Sequence, residues 1–132
     1  MIKKSIWGVL LLATSLFAQL KTVAVTPDFF KSTIKVIDIR TPMEWRETGI
    51  VKGAYTLMFF DEKGNYDVAA FKSALDKIVK EGETFALICR TGSRTADISR
   101  FLSSKFGYNV INLDGGMMKL MREGYRPVKY SQ

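Results

Sequence analysis

Thr84-Phe85-Ala86-Leu87-Ile88-Cys89-Arg90-Thr91-Gly92-Ser93-Arg94 is the stretch that decides how this chain folds. Thr84 to Ile88 is a nearly continuous apolar run of strand length, so it reads as a parallel strand covered on both faces. Such a strand needs helices above and below it, and the flanking sequence supplies them. Before it, Phe71, Leu75, Ile78 and Val79 recur at i, i+4, i+7 and i+8, a helical stripe that starts near Asp67 and is stopped by Gly82. After it, Ala96, Ile98, Phe101, Leu102 and Phe106 form a second stripe that ends at Gly107.

The same alternation extends in both directions. Asn109 to Leu113 reads as the final strand, after which Gly115 and Gly116 turn the chain into a last helix ending at Gly124. Upstream, Lys35 to Ile39 is a strand, and Thr41-Pro42-Met43-Glu44 has the spacing of a capping box, which predicts a short helix from Thr41 to about Gly49. Gly53 to Met58 is a weaker strand candidate. Thr22 to Val25 is a first strand, and Thr26 with Pro27 supplies a cap and a favoured first residue for a turn of helix through Phe30. Strands separated by helices imply an α/β domain with a mostly parallel sheet and helices on both faces. Ligands of such sheets bind beyond the carboxyl ends of the strands, where Cys89 and the segment after Leu113 both lie.

Composition narrows the chemistry. The chain has 132 residues, enough for one core, and 47% apolar with 25% charged residues is the balance of a globular domain. Histidine is absent and there is one cysteine, which speaks against a transition-metal enzyme; no metal or other cofactor is expected. Met117, Met118 and Met121 read as helix packing. At the start, Lys3 and Lys4 precede the apolar run Ile6 to Ala13, the pattern of a secretory signal peptide. Residues 1–18 are therefore set apart from a domain at 19–132, and the protein is expected to be exported, to the periplasm. Cleavage after Ala18 fits, with cleavage after Ser15 or retention as an N-terminal anchor as alternatives, and no stable membrane span is expected in the mature form. Removing the leader takes away two of twenty basic residues and none of thirteen acids, so the domain stays basic. Its Lys and Arg are scattered without a dense block, which favours small anions over nucleic acid as partners. A lone thiol in an oxidising compartment has no disulfide partner and needs another reason.

That reason is legible in the loop. A thiol at a helix N-terminus meets unsatisfied amides and the positive end of the peptide dipole, both of which favour thiolate. Arg90 and Arg94 add fixed charges, Gly92 permits backbone angles that turn successive N–H groups inward, and Thr91 and Ser93 offer hydroxyls. The set suits a nucleophilic sulfur, Cys89, attacking a small anionic donor bound by Arg90, Thr91, Gly92, Ser93 and Arg94.

Four segments in order carry a family resemblance. Asp38-Ile39-Arg40-Thr41-Pro42-Met43-Glu44 resembles the early Asp-x-Arg-x-x-x-Glu segment of rhodanese domains, and Gly49 with Gly53-Ala54 matches the glycines that follow it. Cys89-x-x-Gly92-x-Arg94 resembles the family's active-site loop, and Leu113-Asp114-Gly115-Gly116, with Gly124 and Pro127, its closing segment. Two departures are visible: Thr48-Gly49-Ile50 lacks the histidine often found there, and Leu120 stands where tryptophan is frequent. The resemblance spans almost all of residues 19–132. It implies a five-stranded sheet and a sulfurtransferase that moves sulfane sulfur from thiosulfate or polysulfide, through a persulfide on Cys89, to a thiol or cyanide acceptor.

Blander readings compete. Cys89 as an inert core thiol, and Arg90 and Arg94 as solvated charges, are the structural alternatives, while Asp38, Arg40 and Glu44 read as braces rather than catalysts. A non-catalytic carrier of persulfide or polysulfide is a second function. A phosphatase of related fold is a third, but its signature places five residues between cysteine and arginine, whereas residues 90 to 93 give four here and Thr95 occupies the further position.

Overall fold

The computed structural model describes residues 18–131, so the leader, Ala18 excepted, lies outside the described residues. Five strands make one sheet, in the order β1 (Leu20–Ala24), β5 (Val110–Asp114), β4 (Phe85–Ile88), β2 (Lys35–Asp38), β3 (Tyr55–Thr56), and every neighbouring pair runs parallel. Three α-helices lie between strands, α1 (Pro42–Thr48), α2 (Val68–Ile78) and α3 (Ser93–Phe106), a 3-10 turn at Pro27–Lys31 lies between β1 and β2, and α4 (Gly116–Arg122) follows β5. No helix among the described residues is long and apolar enough to cross a membrane.

The apolar run that decided the fold is the middle strand, and all four residues of β4 are buried. Alternation along it divides the core. Phe85, Leu87 and Cys89 join Phe71 and Leu75 of α2 and Ile98 and Leu102 of α3 on one face. Ala86 and Ile88 join Met117 and Leu120 of α4, with Phe29 and Phe30 of the 3-10 turn, on the other. Helices therefore cover both faces, and each fully buried Leu, Ile or Phe stabilises this arrangement by about 1.5–3 kcal/mol.

Local signals act as their chemistry requires. At α1 the capping box is formed in both directions: Glu44 N–H donates to Thr41 Oγ1 and Thr41 N–H donates to the Glu44 carboxylate, each at 3.3 Å. Asp67 caps α2 through the Ala70 amide. The main departures from the sequence pattern are two strand boundaries and one helix residue. β1 begins at Leu20 because its ladder to β5 starts at Val110. β3 holds only Tyr55 and Thr56; beyond them Leu57 N–H still donates to Asp38 O and Phe59 N–H to Ile39 O, but the chain bends out of the ladder toward the Phe59, Phe60 and Tyr66 rings. Phe101, expected on the buried stripe of α3, is 36% exposed and rests edge-on against Phe106. It marks the margin of that stripe.

Candidate active site

Cys89 follows the last residue of the central strand, at the carboxyl edge of the sheet, and none of its surface is exposed. Two groups touch its sulfur: Gly92 N–H donates to Sγ at 3.2 Å, and the Thr95 hydroxyl lies 3.5 Å away. Gly92 is the N-cap of α3 at φ +98°, a conformation that favours glycine, and a Cβ there would fall 2.8 Å from the Gly115 nitrogen. Arg90, Thr91 and Ser93 stand exposed around it, with the Thr91 and Ser93 hydroxyls 3.5 Å apart. The amides of Thr91, Ser93 and Arg94 have no acceptor among the described residues, the latter two because they open the first turn of α3. Backbone donors and a helix N-terminus around one sulfur are suited to negative charge on or next to it.

The back of the loop is clamped by the last helix. Cys89 O accepts from Met117 N–H at 2.9 Å and Arg90 O from Met118 N–H at 3.0 Å. This approach is open only because residue 116 is glycine: a Cβ there would lie 2.5 Å from Arg90 O and 2.6 Å from Cys89 O. The pair Gly115-Gly116, read from sequence as a turn, is thus also part of the loop's support.

Arg94 reaches across to α1 rather than standing alone. Its two terminal nitrogens donate to the two oxygens of Glu44 at 2.9 and 2.8 Å, a bidentate pair in which both side chains are mostly buried. Burial pushes the Glu44 carboxyl up, but hydrogen bonds from Arg94 and the Thr41 amide, with the charges of Arg94 and Arg40, outweigh this and hold it below the ordinary glutamate range. Arg94 is in turn pushed up by its hydrogen bond to Glu44 against desolvation, with further support from the charges of Glu44, Cys89 and Asp38. Under this pair, Arg40 is buried against Asp38, donates to Thr48 Oγ1 and Gly49 O, and shares Asp38 with the Trp45 indole N–H. Asp38, Arg40 and Glu44 therefore brace β2 and α1 against the sulfur loop.

The structure brings Cys89, Gly92 and Arg94 together with two residues that sequence reading did not select. Thr95 figured there only as the position lacking an arginine. Asn112, buried on β5, receives a 2.6 Å hydrogen bond from the Thr95 hydroxyl at its Oδ1. The one available signal for Asn112 was an amide in the middle of an otherwise apolar strand.

Comparison with known proteins agrees with this fold. A model of the rhodanese-like domain matches residues 26–123. Among solved structures, the chain is similar to a protein of Staphylococcus saprophyticus subsp. saprophyticus, with 26% identity, 76% of this chain and 95% of that chain covered, and a TM-score of 0.56. A rhodanese-related protein from Thermoplasma volcanium shares 23% identity over 77% of this chain and 93% of that one at a TM-score of 0.56. A rhodanese-like domain protein from Staphylococcus aureus shares 21% over 74% and 88% at 0.54. The latter two likenesses are of fold. No curated protein matches the chain.

Proposed function

We infer the activity from one premise: this chain belongs to the rhodanese-like domain family. It is a sulfurtransferase that carries sulfane sulfur on Cys89. The carrying observation is the sulfur at the carboxyl end of the central strand, receiving the Gly92 amide at 3.2 Å within a loop of further amides and exposed Arg90.

The reaction has two steps. The Cys89 thiolate attacks the outer sulfur of thiosulfate; the donor's S–S bond breaks with its electron pair leaving on sulfite, and a Cys89 persulfide anion remains. Cyanide or an acceptor thiolate then attacks the outer persulfide sulfur, forming thiocyanate or a new persulfide and returning the Cys89 thiolate. Polysulfide enters the same way with a shortened polysulfide as leaving group. The loop amides stabilise the anionic persulfide, and Arg90, Thr91, Ser93 and Arg94 receive the donor. No proton relay is needed, which agrees with a chain that has no histidine. The short Cys89 to Arg94 spacing favours sulfur over a tetrahedral phosphate.

Complete burial of the resting sulfur favours a second reading, a carrier that holds persulfide without rapid turnover. The basic, apolar start of the chain supports export, with residues 1–18 as the leader. One experiment tests the main reading. Donor alone is expected to add the mass of one sulfur atom to the purified protein, acceptor to remove it, and Cys89→Ser to do neither. Loading and unloading without steady-state turnover would assign the carrier role; full transfer by Cys89→Ser would overturn both.

A further inference from the structure

The charges around the Cys89 loop nearly cancel. Arg94 is matched by Glu44 in a bidentate pair and Arg40 by Asp38, while Lys119, which packs against Gly115, is matched by Glu123. Two charged side chains at the loop make no ion pair with any described residue: Arg90, exposed on the loop itself, and Asp114, exposed at the carboxyl end of β5. The backbone fixes Asp114 in that place. Its carbonyl accepts from Val25 N–H at 2.9 Å, and its Oδ1 lies 3.1 Å from where a Gly92 Cβ would stand. Because the Gly92 amide donates to Cys89 Sγ at 3.2 Å, the Asp114 carboxylate is no more than about 9.3 Å from the sulfur. The one arginine left to attract an anion is thus opposed by one carboxylate.

We propose that Asp114 is a specificity-determining residue: by leaving the loop without excess positive charge, its carboxylate disfavours doubly charged sulfur donors and turns the site toward singly charged ones, organic persulfides and thiosulfonates. The chemistry is otherwise the same. The Cys89 thiolate attacks the donor's outer sulfur, the S–S bond breaks with its electron pair leaving on a thiolate or a sulfinate, and the Cys89 persulfide anion remains. The unoccupied amides of Thr91, Ser93 and Arg94 hold such a donor without a second net positive charge. This rests on the reading of Cys89 as the sulfur carrier and narrows the donor class left open there.

Thiosulfate and a thiosulfonate present the same reacting sulfur and differ by one unit of charge. For a carboxylate about 9 Å away on an exposed edge, the repulsion of that extra charge lies near the aqueous limit and amounts to roughly a two- to five-fold difference in rate. Salt removes it, because the screening length falls from about 10 Å at 0.1 M to about 3 Å at 1 M.

The test measures the second-order rate of Cys89 persulfide formation, by mass and without acceptor, for thiosulfate and for methanethiosulfonate. The two donors differ in intrinsic reactivity, so the readout is the change in their rate ratio. Asp114→Asn is expected to raise the thiosulfate to methanethiosulfonate ratio roughly two- to five-fold at low ionic strength and to leave it unchanged at about 1 M salt. Asp114→Glu keeps the charge and is expected to stay near the original ratio, while Arg90→Ala is expected to move it the opposite way. Glu81→Gln removes the same charge from an exposed residue ahead of β4, at the other end of the central strand, and is expected to have no effect on the ratio. An equal change for both donors in Asp114→Asn, or a shifted ratio that persists at high salt, would assign Asp114 to the shape of the loop and overturn the proposal. Donor loading with an unaltered ratio overturns the proposal alone. Failure of both donors to load the parent protein would overturn the sulfur-carrier reading and the proposal with it.

Discussion

Breaking the Glu44 and Arg94 pair is expected to loosen the Cys89 loop from α1 and to do so only above acidic pH. Charge-assisted hydrogen bonds contribute about 1.5–3 kcal/mol when well buried, while exposed ion pairs contribute about 0–1. Here the side chains are 28% and 17% exposed and the geometry is bidentate, which places Arg94→Ala between these limits, at about 1–2 kcal/mol. For a domain of this size that corresponds to a fall in Tm of roughly 4–8 °C. Glu44→Gln, which keeps an oxygen for the capping box but loses the charge, is expected to fall in the same range or slightly less. The folded Glu44 carboxyl titrates below its ordinary value of 4.5, so its contribution is complete above that value and is lost as pH falls through the folded one. Thermal melts followed by circular dichroism at neutral pH and at a series of falling acid pH values provide the assay. The variants are expected to melt below the parent protein at neutral pH and to converge with it in acid. Equal melting temperatures at neutral pH, or a gap that stays open in acid, would refute the assignment of the pair as the strut of the loop.

Arg90→Ala removes an exposed charge and is expected to leave Tm unchanged while lowering kcat/KM for thiosulfate about ten- to a hundred-fold, the value of one charge-assisted contact; Arg94→Ala is expected to lose at least as much, together with its Tm. Unchanged kinetics in both would mean that backbone amides alone hold the donor. Gly116→Ala drives a methyl to 2.5 Å from Arg90 O, and is expected to cost about 1–3 kcal/mol and to reduce persulfide formation, measured by denaturant melts and by mass after donor treatment. Protein recovered from a cell envelope fraction is expected to begin near Gln19 by mass; an intact Met1 on soluble cytoplasmic protein would refute export.

Features set by neighbours in the chain were legible in the sequence. Thr84 to Ile88 had to be a strand covered on both faces, because five largely apolar residues leave no side for water, and the stripes beginning at Phe71 and Ala96 provided the cover. The Thr41 and Glu44 box acts within one helical turn, and it is formed as its spacing predicts. Features set by distant partners were not legible. Nothing near Arg94 announces that its charge is taken up by Glu44, fifty positions earlier. Nothing near Thr95 announces Asn112, seventeen positions later on another strand. β3 shrank to two residues for a similar reason: the rings of Phe59, Phe60 and Tyr66 pack together and draw the chain away from the sheet edge, a preference that strand propensity at Gly53 to Met58 does not contain.

The amides of Met117 and Met118 donate to the carbonyls of Cys89 and Arg90, and this has a consequence for the order in which a newly made chain acquires its chemistry. The residues of all five strands are complete once Asp114 has been made, so a chain stopped there contains every strand and Cys89 but nothing behind the loop. The carbonyls that α4 would engage remain open to solvent, and the cradle has no fixed back wall. The support behind the Cys89 loop arrives only with the final stretch of translation. In hydrogen exchange, the Met117 and Met118 amides should be as slow as those of the central strand, although the first amides of a helix usually exchange freely.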